Sequence, residues 1–353
     1  MNIIFRKGLF TITNYFINVE LDNTTWIRGT VPTELSTLPR TLNFSLLELL
    51  LHVADATKNP NFINFQINDY WAFLRYQNCF NTSGHIVLNE LFEDVDSHQK
   101  TILSDDMGMG FTSLILHRAF GLKALTDTSY FIKHLGSLSS NRTSRYGPNK
   151  TPDFIALDNS MNLHIVECKG TQTSLLKSDR QLEKGIIQKR NLNDPHHIIN
   201  QKLAIGTFLA RYNSQENSRI KIVDPDFDLD FSEKDIKNSI IYYSLLSQFL
   251  KELKLYLPPN WLKKNLSSKN YEEKLFEFLN QHIEEIPSKI ESENYFEEFD
   301  IKKEFDTSSL KKKLLNSNSL EECLLQFQDN SKKIEGGNYK GIFGLNIYVK
   351  YKK

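Results

Sequence analysis

Thr151-Pro152-Asp153 is followed, fourteen residues after the aspartate, by Glu167-Cys168-Lys169-Gly170. Both pieces lie in apolar, strand-like runs, TPDFIALD and LHIVECKG, joined by the turn-forming DNSMN. Side chains alternate along a strand, so Glu167 and Lys169 share one face and Cys168 takes the other. A hairpin through DNSMN carries Asp153 toward Glu167, and two carboxylates and an ammonium converge on one sheet edge. Two carboxylates are hard oxygen ligands of the kind Mg²⁺ accepts while it keeps most of its waters. Such a metal lowers the pKa of a bound water and offsets charge on a phosphoryl oxygen. The lysine can orient the attacking water or help deprotonate it, and it can stabilise charge growing on a pentacovalent phosphorus. The plainer reading is a hairpin with a surface ion pair between Glu167 and Lys169, Pro152 merely opening a strand.

Several elements must position these residues. FTSLILHRAFGL suits a helix closed by Gly121, and SDDMGMG before it reads as punctuation or a helix entry, since it lacks GK[ST] and a full GxGxxG. YFIKHLG reads as a short strand. The hairpin strands follow, then a helix over SDRQLEKGIIQKRNLN and a strand at RIKIVDPD. The order is α, β, β, β, α, β. The loop SSNRTSRYGPNK carries Arg142, Arg145 and Lys150 with no acid among its twelve residues. Arginine forks suit phosphate oxygens, and Tyr146 can stack on a base; an ordinary solvated loop is the competing reading. On the following helix Gln181, Lys184, Gly185 and Gln188 share one face, with Leu182 and Ile186 toward the core. There Lys184 is a candidate phosphate contact.

Pro152-Asp153, then Glu167-Cys168-Lys169 after a short hairpin, resembles the PD-(D/E)xK nuclease superfamily, whose members share the restriction-endonuclease-like core. The resemblance covers about 130 of the 353 residues. It implies that Asp153 and Glu167 are the metal-binding acids, that Lys169 is the catalytic lysine, and that the backbone carbonyl of Cys168 is a further metal ligand. Many members carry a glutamine on the helix after the lysine; Gln181, twelve residues past Lys169, fits best. A carboxylate on the helix before the hairpin is also common. No acid lies between Phe111 and Leu125, and Asp105 and Asp106 stand just upstream. The implied activity is Mg²⁺-dependent hydrolysis of DNA, with Mn²⁺ able to substitute, leaving a 5′-phosphate and a 3′-hydroxyl. By analogy the setting is restriction or antiphage defence, with a homo-oligomer or a protein partner in a defence complex. The alternative is a catalytically inactive DNA-binding or scaffolding subunit of such a complex.

The remainder of the chain sets the frame. Forty-three basic and 43 acidic side chains cancel, so the whole molecule is no polycation. Residues 101–220 nevertheless carry a net charge of +5, between flanks of −3 and −2. The length suits roughly two domains. The expected division is an accessory region over 1–100, a nuclease domain over 101–230 and a mostly helical region over 231–353. The expected class is α/β (α+β), with a mixed central sheet flanked by helices. Ser45 is a candidate cap for LLELLLHVADA, and NDYWAFLRYQ reads as a helix. In YEEKLFEFLNQHIEEI, Leu275, Leu279, Ile283 and Ile286 form a core stripe, and GLNIYVKYKK reads as a final strand. Cys79, Cys168 and Cys323 are far apart and odd in number, which suits free thiols in a reducing compartment. No run approaches the roughly 20 apolar residues of a membrane span, so no membrane partner is expected and the cytoplasm is the default.

Overall fold

The computed structural model describes residues 14–26, 30–58, 76, 78–135, 151–187, 194–225, 231, 233, 235–254, 270–286, 289–290 and 299–351. It is a mixed α/β fold. β1 (Asn14–Leu21), β2 (Thr41–Ser45), β3 (Gly84–His85), β4 (Leu122–Asp127), β5 (Phe154–Asp158), β6 (Leu163–Thr171), β7 (Ile199–Phe208) and β8 (Arg219–Val223) build an eight-stranded sheet. Its order is β2-β1-β8-β7-β6-β5-β4, with β3 beside β1. β4, β5 and β6 are antiparallel in succession, and β6 pairs with β7 in parallel. That parallel step needs a crossover, which α5 (Leu175–Ile187) supplies. Strands from the first hundred residues thus share one sheet with those of residues 101–230. The mixed sheet flanked by helices is as expected, and so is the helix-rich C-terminal part.

The helices are α1 (Thr33–Ser36), α2 (Leu46–Thr57), α3 (Ser97–Phe120), α4 (Thr128–His134) and α5, then α6 (Ile236–Leu253), α7 (Tyr271–His282), α8 (Thr307–Leu315) and α9 (Leu320–Leu325). Ser45 caps α2, accepting the Glu48 N–H at 3.1 Å. The Leu275, Leu279, Ile283 and Ile286 stripe is buried. A second sheet, fully antiparallel, was not anticipated beyond its strand β13 (Leu345–Tyr351). It runs β11-β12-β13-β10-β9, with β9 Lys289–Ile290, β10 Phe299–Phe305, β11 Lys333–Glu335 and β12 Asn338–Lys340. One contiguous apolar core takes in Ile17, Leu50, Phe111, Ile165, Leu245 and Ile347, so both sheets rest on it. Among the described residues no helix is long and apolar enough to cross a membrane.

Two sequence expectations fail around the site. SDDMGMG is not punctuation: it lies inside α3, which begins at Ser97, where Asp96 caps by accepting the His98 N–H at 2.8 Å. Glycine's poor helix propensity concealed this. The glycine is there for packing. A Cβ on Gly170 would run into the carbonyl oxygen of Ser104, and one on Gly108 would stand 2.9 Å from the Gly170 nitrogen. Helix and strand therefore touch backbone to backbone. YFIKHLG is not a strand: Tyr130 to His134 lie in α4, which Asp127 caps by accepting the Ser129 N–H at 3.0 Å. The strand is the preceding LKALTD, whose residues up to Thr126 are buried. The expected helix over NDYWAFLRYQ falls largely outside the described residues.

Candidate active site

β5 begins at Phe154 and pairs with β6 only as far as Val166. Beyond that point the β5-facing edge of β6 opens, and Asp153, just before β5, lies at the opening. Backbone bonds hold Asp153 from two sides. Its carbonyl accepts the Thr128 N–H of α4 at 3.1 Å, and its own N–H donates to Glu167 Oε2 at 3.2 Å. Asp153 Oδ2 accepts the Cys168 N–H at 2.8 Å. Lys169 Nζ lies 2.5 Å from Glu167 Oε1 and 3.4 Å from Asp153 Oδ2. The two acids and the lysine converge as the strand alternation requires.

Cys168 departs from that alternation. Its thiol reaches Asp153 Oδ2 at 3.4 Å instead of serving the opposite face alone. Asp153 approaches from the strand's edge, where both faces are within reach. Burial, with the Asp153 carboxylate beside it, pushes this thiol well above the ordinary cysteine range, so it stays a neutral S–H. Burial raises the Glu167 carboxyl, and Asp153 adds to the rise while Lys169 opposes it. Burial works against the Lys169 ammonium, but Asp153 and Glu167 outweigh it and hold the amine above its usual range. With both carboxylates facing it, Lys169 is a cation suited to donating hydrogen bonds.

A pocket of about 390 Å³ opens beside Asp153, Cys168 and Lys169, lined also by Asp105, Met109, Asp127, Thr151, Pro152, Phe154 and Gly170, with Glu167 outside its lining. Asp105 comes from α3, one residue past the Ser104 carbonyl that meets Gly170. Burial lifts its carboxyl, with Lys169 opposing and Asp153 adding to the rise. Sequence reading named Asp105 only as an upstream substitute, and the helix running through the glycines is what brings it to the pocket. Asp127 was not singled out, because β4 was not recognised; the Asp before Thr128, a helix-cap pattern, was the available signal.

Asp153 and Glu167 offer hard oxygen donors of the kind Mg²⁺ takes. Among the described residues no group of three or more His, Cys, Asp or Glu side chains forms a metal cage. Mg²⁺ does not ask for one, since it takes one or two carboxylates and fills its remaining positions with water and substrate phosphate. The Asp153 and Glu167 carboxylates meet that need. N–H and C=O of one strand residue point to the same edge, so the Cys168 carbonyl faces the opening as its N–H does. The residues present fit the ion.

Gln181 lies on α5, half-buried, outside the pocket lining, and its Oε1 is buried without a hydrogen-bond partner among the described residues. Leu182 is buried, as expected. The side chain of Lys184 and the loop residues Arg142, Arg145 and Lys150 fall outside the described residues. No protein-family model matches the chain, and comparison with curated proteins and with solved structures returned no match.

Proposed function

We propose that this chain is a metal-dependent nuclease that hydrolyses DNA phosphodiester bonds on a restriction-endonuclease-like core. The observation that carries the reading is the convergence of Asp153, Glu167 and Lys169 on the open edge of β6, beneath a pocket that Asp105 enters from α3. The order α3, β4, β5, β6, α5, β7 supports it, since it keeps the α, β, β, β, α, β succession read from the sequence, with β4 in place of YFIKHLG, β7 in place of RIKIVDPD and α4 inserted.

Asp153, Glu167 and the Cys168 carbonyl would hold Mg²⁺, which when bound acidifies a water and offsets phosphate charge. The protein's own share is orientation and charge. The Cys168 N–H and S–H fix one oxygen of Asp153, leaving the other for the ligand. The Asp153 N–H holds Glu167 Oε2 while Lys169 engages Oε1. Lys169, protonated and about a third exposed, presents N–H donors to a phosphoryl oxygen as negative charge accumulates there.

The test is cleavage of supercoiled and linear DNA with Mg²⁺ or Mn²⁺ by the wild type, Asp153→Ala and Lys169→Ala, each checked for folding by circular dichroism. Nicking by the wild type that both folded variants lose supports the reading. Cleavage undiminished in either variant, or none by the wild type with either metal, overturns it.

A further inference from the structure

α4 follows β4 directly, and its first turn touches the site. Asp127 ends β4 opposite Phe154, the residue after Asp153. Thr128 is the first residue of α4. The first N–H groups of a helix have no partner inside it. That of Thr128 goes to the Asp153 carbonyl at 3.1 Å. The Asp127 side chain fixes where the helix begins. Its Oδ1 accepts the Ser129 N–H at 3.0 Å, and its backbone stays outside the helical range at φ −53° and ψ 129°.

Asp153 lies past the end of the β5–β6 ladder, which therefore does not fix its backbone. Its C=O and N–H belong to the peptide planes on either side of its Cα, and holding both planes sets the Cα–Cβ direction. The N–H is held by Glu167 Oε2, on a carboxylate that a metal ion would also draw on. The Thr128 bond is backbone to backbone and makes no demand on a metal-binding group.

The rest of α4 stands without the cap. Tyr130 and Phe131 are buried, and His134 stacks on Tyr243 of α6 with ring centroids 5.2 Å apart. β4 is held by its pairing with β5 and by Lys251 Nζ, which donates to the Leu125 carbonyl at 2.7 Å. Loss of the cap therefore frees the first turn of this seven-residue helix and leaves its body docked. Asp127 also lines the pocket beside Asp153 and Lys169. One of its oxygens is committed to Ser129, so the role its bonds define is the placement of Asp153.

We propose that Asp127 is a positioning residue of this site: by capping α4 it keeps the Thr128 N–H on the Asp153 carbonyl and so holds the Asp153 carboxylate in place beside Glu167 and Lys169. The inference rests on the nuclease reading for the reaction it serves.

The experiment compares full-length wild type, Asp127→Ala, Asp127→Asn and Asp306→Ala. Asp306 caps α8 in the same way, accepting the Ser308 N–H at 3.0 Å, and lies outside the pocket lining. Each protein is melted, titrated with Mn²⁺ by the loss of the free-ion electron paramagnetic resonance signal, and assayed for plasmid nicking across a Mg²⁺ series. Asp127→Ala should melt like Asp306→Ala yet bind Mn²⁺ about 10- to 100-fold more weakly than wild type, the usual cost of losing a group that orients a metal ligand. Asp127→Asn should recover most of that affinity, because asparagine caps as well as aspartate. Asp306→Ala should bind Mn²⁺ as wild type does. Wild-type affinity in Asp127→Ala, an Asp127→Asn as weak as the alanine variant, or equal weakening in Asp306→Ala would overturn the proposal; the second result would assign the effect to charge and not to the cap. Nicking that ignores Asp127→Ala removes this role and leaves the nuclease standing. Mn²⁺ binding that depends on the cap, in a wild type that cuts no DNA, keeps the role and removes the nuclease. A wild type that binds no Mn²⁺ ends both.

Discussion

Oδ2 of Asp153 accepts the backbone N–H of Cys168 at 2.8 Å, across fifteen residues of sequence. The carboxylate is thus locked to the strand that carries its chemical partners, and its charge can be separated from its hydrogen bonding. In Asp153→Asn the side-chain oxygen still accepts that N–H, while the charge facing Lys169 is gone. This variant should melt close to the wild type yet lose about a hundredfold or more of Mg²⁺-dependent cleavage. A melt and a plasmid-nicking time course check it, and full activity in the folded variant would remove the carboxylate from the chemistry.

Contact between α3 and β6 at Ser104, Gly108 and Gly170 sets where Asp105 stands. Gly170→Ala drives a methyl into the Ser104 carbonyl, a backbone atom that cannot rotate away. Overpacking of this kind costs about 1–3 kcal/mol. Urea denaturation should show that loss, and cleavage should fall more than the lost stability explains, because the helix must move off the strand. A variant of wild-type stability would mean the two backbones separate freely.

Asp105 should matter less than the hairpin acids. It lines the pocket from α3 and meets Lys169 only through an electrostatic effect. Asp105→Asn should keep the fold and weaken the apparent Mg²⁺ requirement-curve midpoint or the rate by about tenfold, far short of the Asp153 effect. A metal titration of the cleavage rate separates the two. Loss equal to that of Asp153→Asn would make it a principal ligand.

Acid should unfold the protein through histidines remote from the site. His52 of α2 bonds Ser113 Oγ at 2.9 Å, and its ring centroid lies 5.4 Å from that of His117. Burial, then neighbouring cations, lowers both rings, His117 to about 4. The native state therefore holds these imidazoles neutral while the unfolded chain protonates them from about 6.5 downward. Their contribution is complete above pH 6.5 and disappears as pH falls toward 4. For His117 alone the shift corresponds to about 3 kcal/mol. Stability measured between pH 7 and 4 should drop steeply, and His117→Gln should flatten the slope. An unchanged slope would show that the ring titrates normally in the fold.

The hairpin was legible because its signals are local. Apolar alternation in FIALD and LHIVECKG, turn residues between them and the two-residue spacing of Glu167 and Lys169 are properties of short stretches. The Ser45 cap, the Gly121 stop and the Leu275–Ile286 stripe were read for the same reason. The convergence of Asp153, Glu167 and Lys169 follows from them, since period-two geometry leaves Glu167 and Lys169 little choice of face.

Only the folded chain decided the rest. Asp105 belongs to the pocket because α3 runs unbroken through two glycines, and those glycines read as a helix break until the strand they pack against is known. β1, β2, β4 and β7 escaped sequence reading because strands take their stability from partners distant in the chain. Cys168 reaches Asp153 because the pairing of β5 stops at Phe154, a limit set by both strands together. What lies within two or three residues was written in the order of the amino acids; what depends on one backbone closing on another was not.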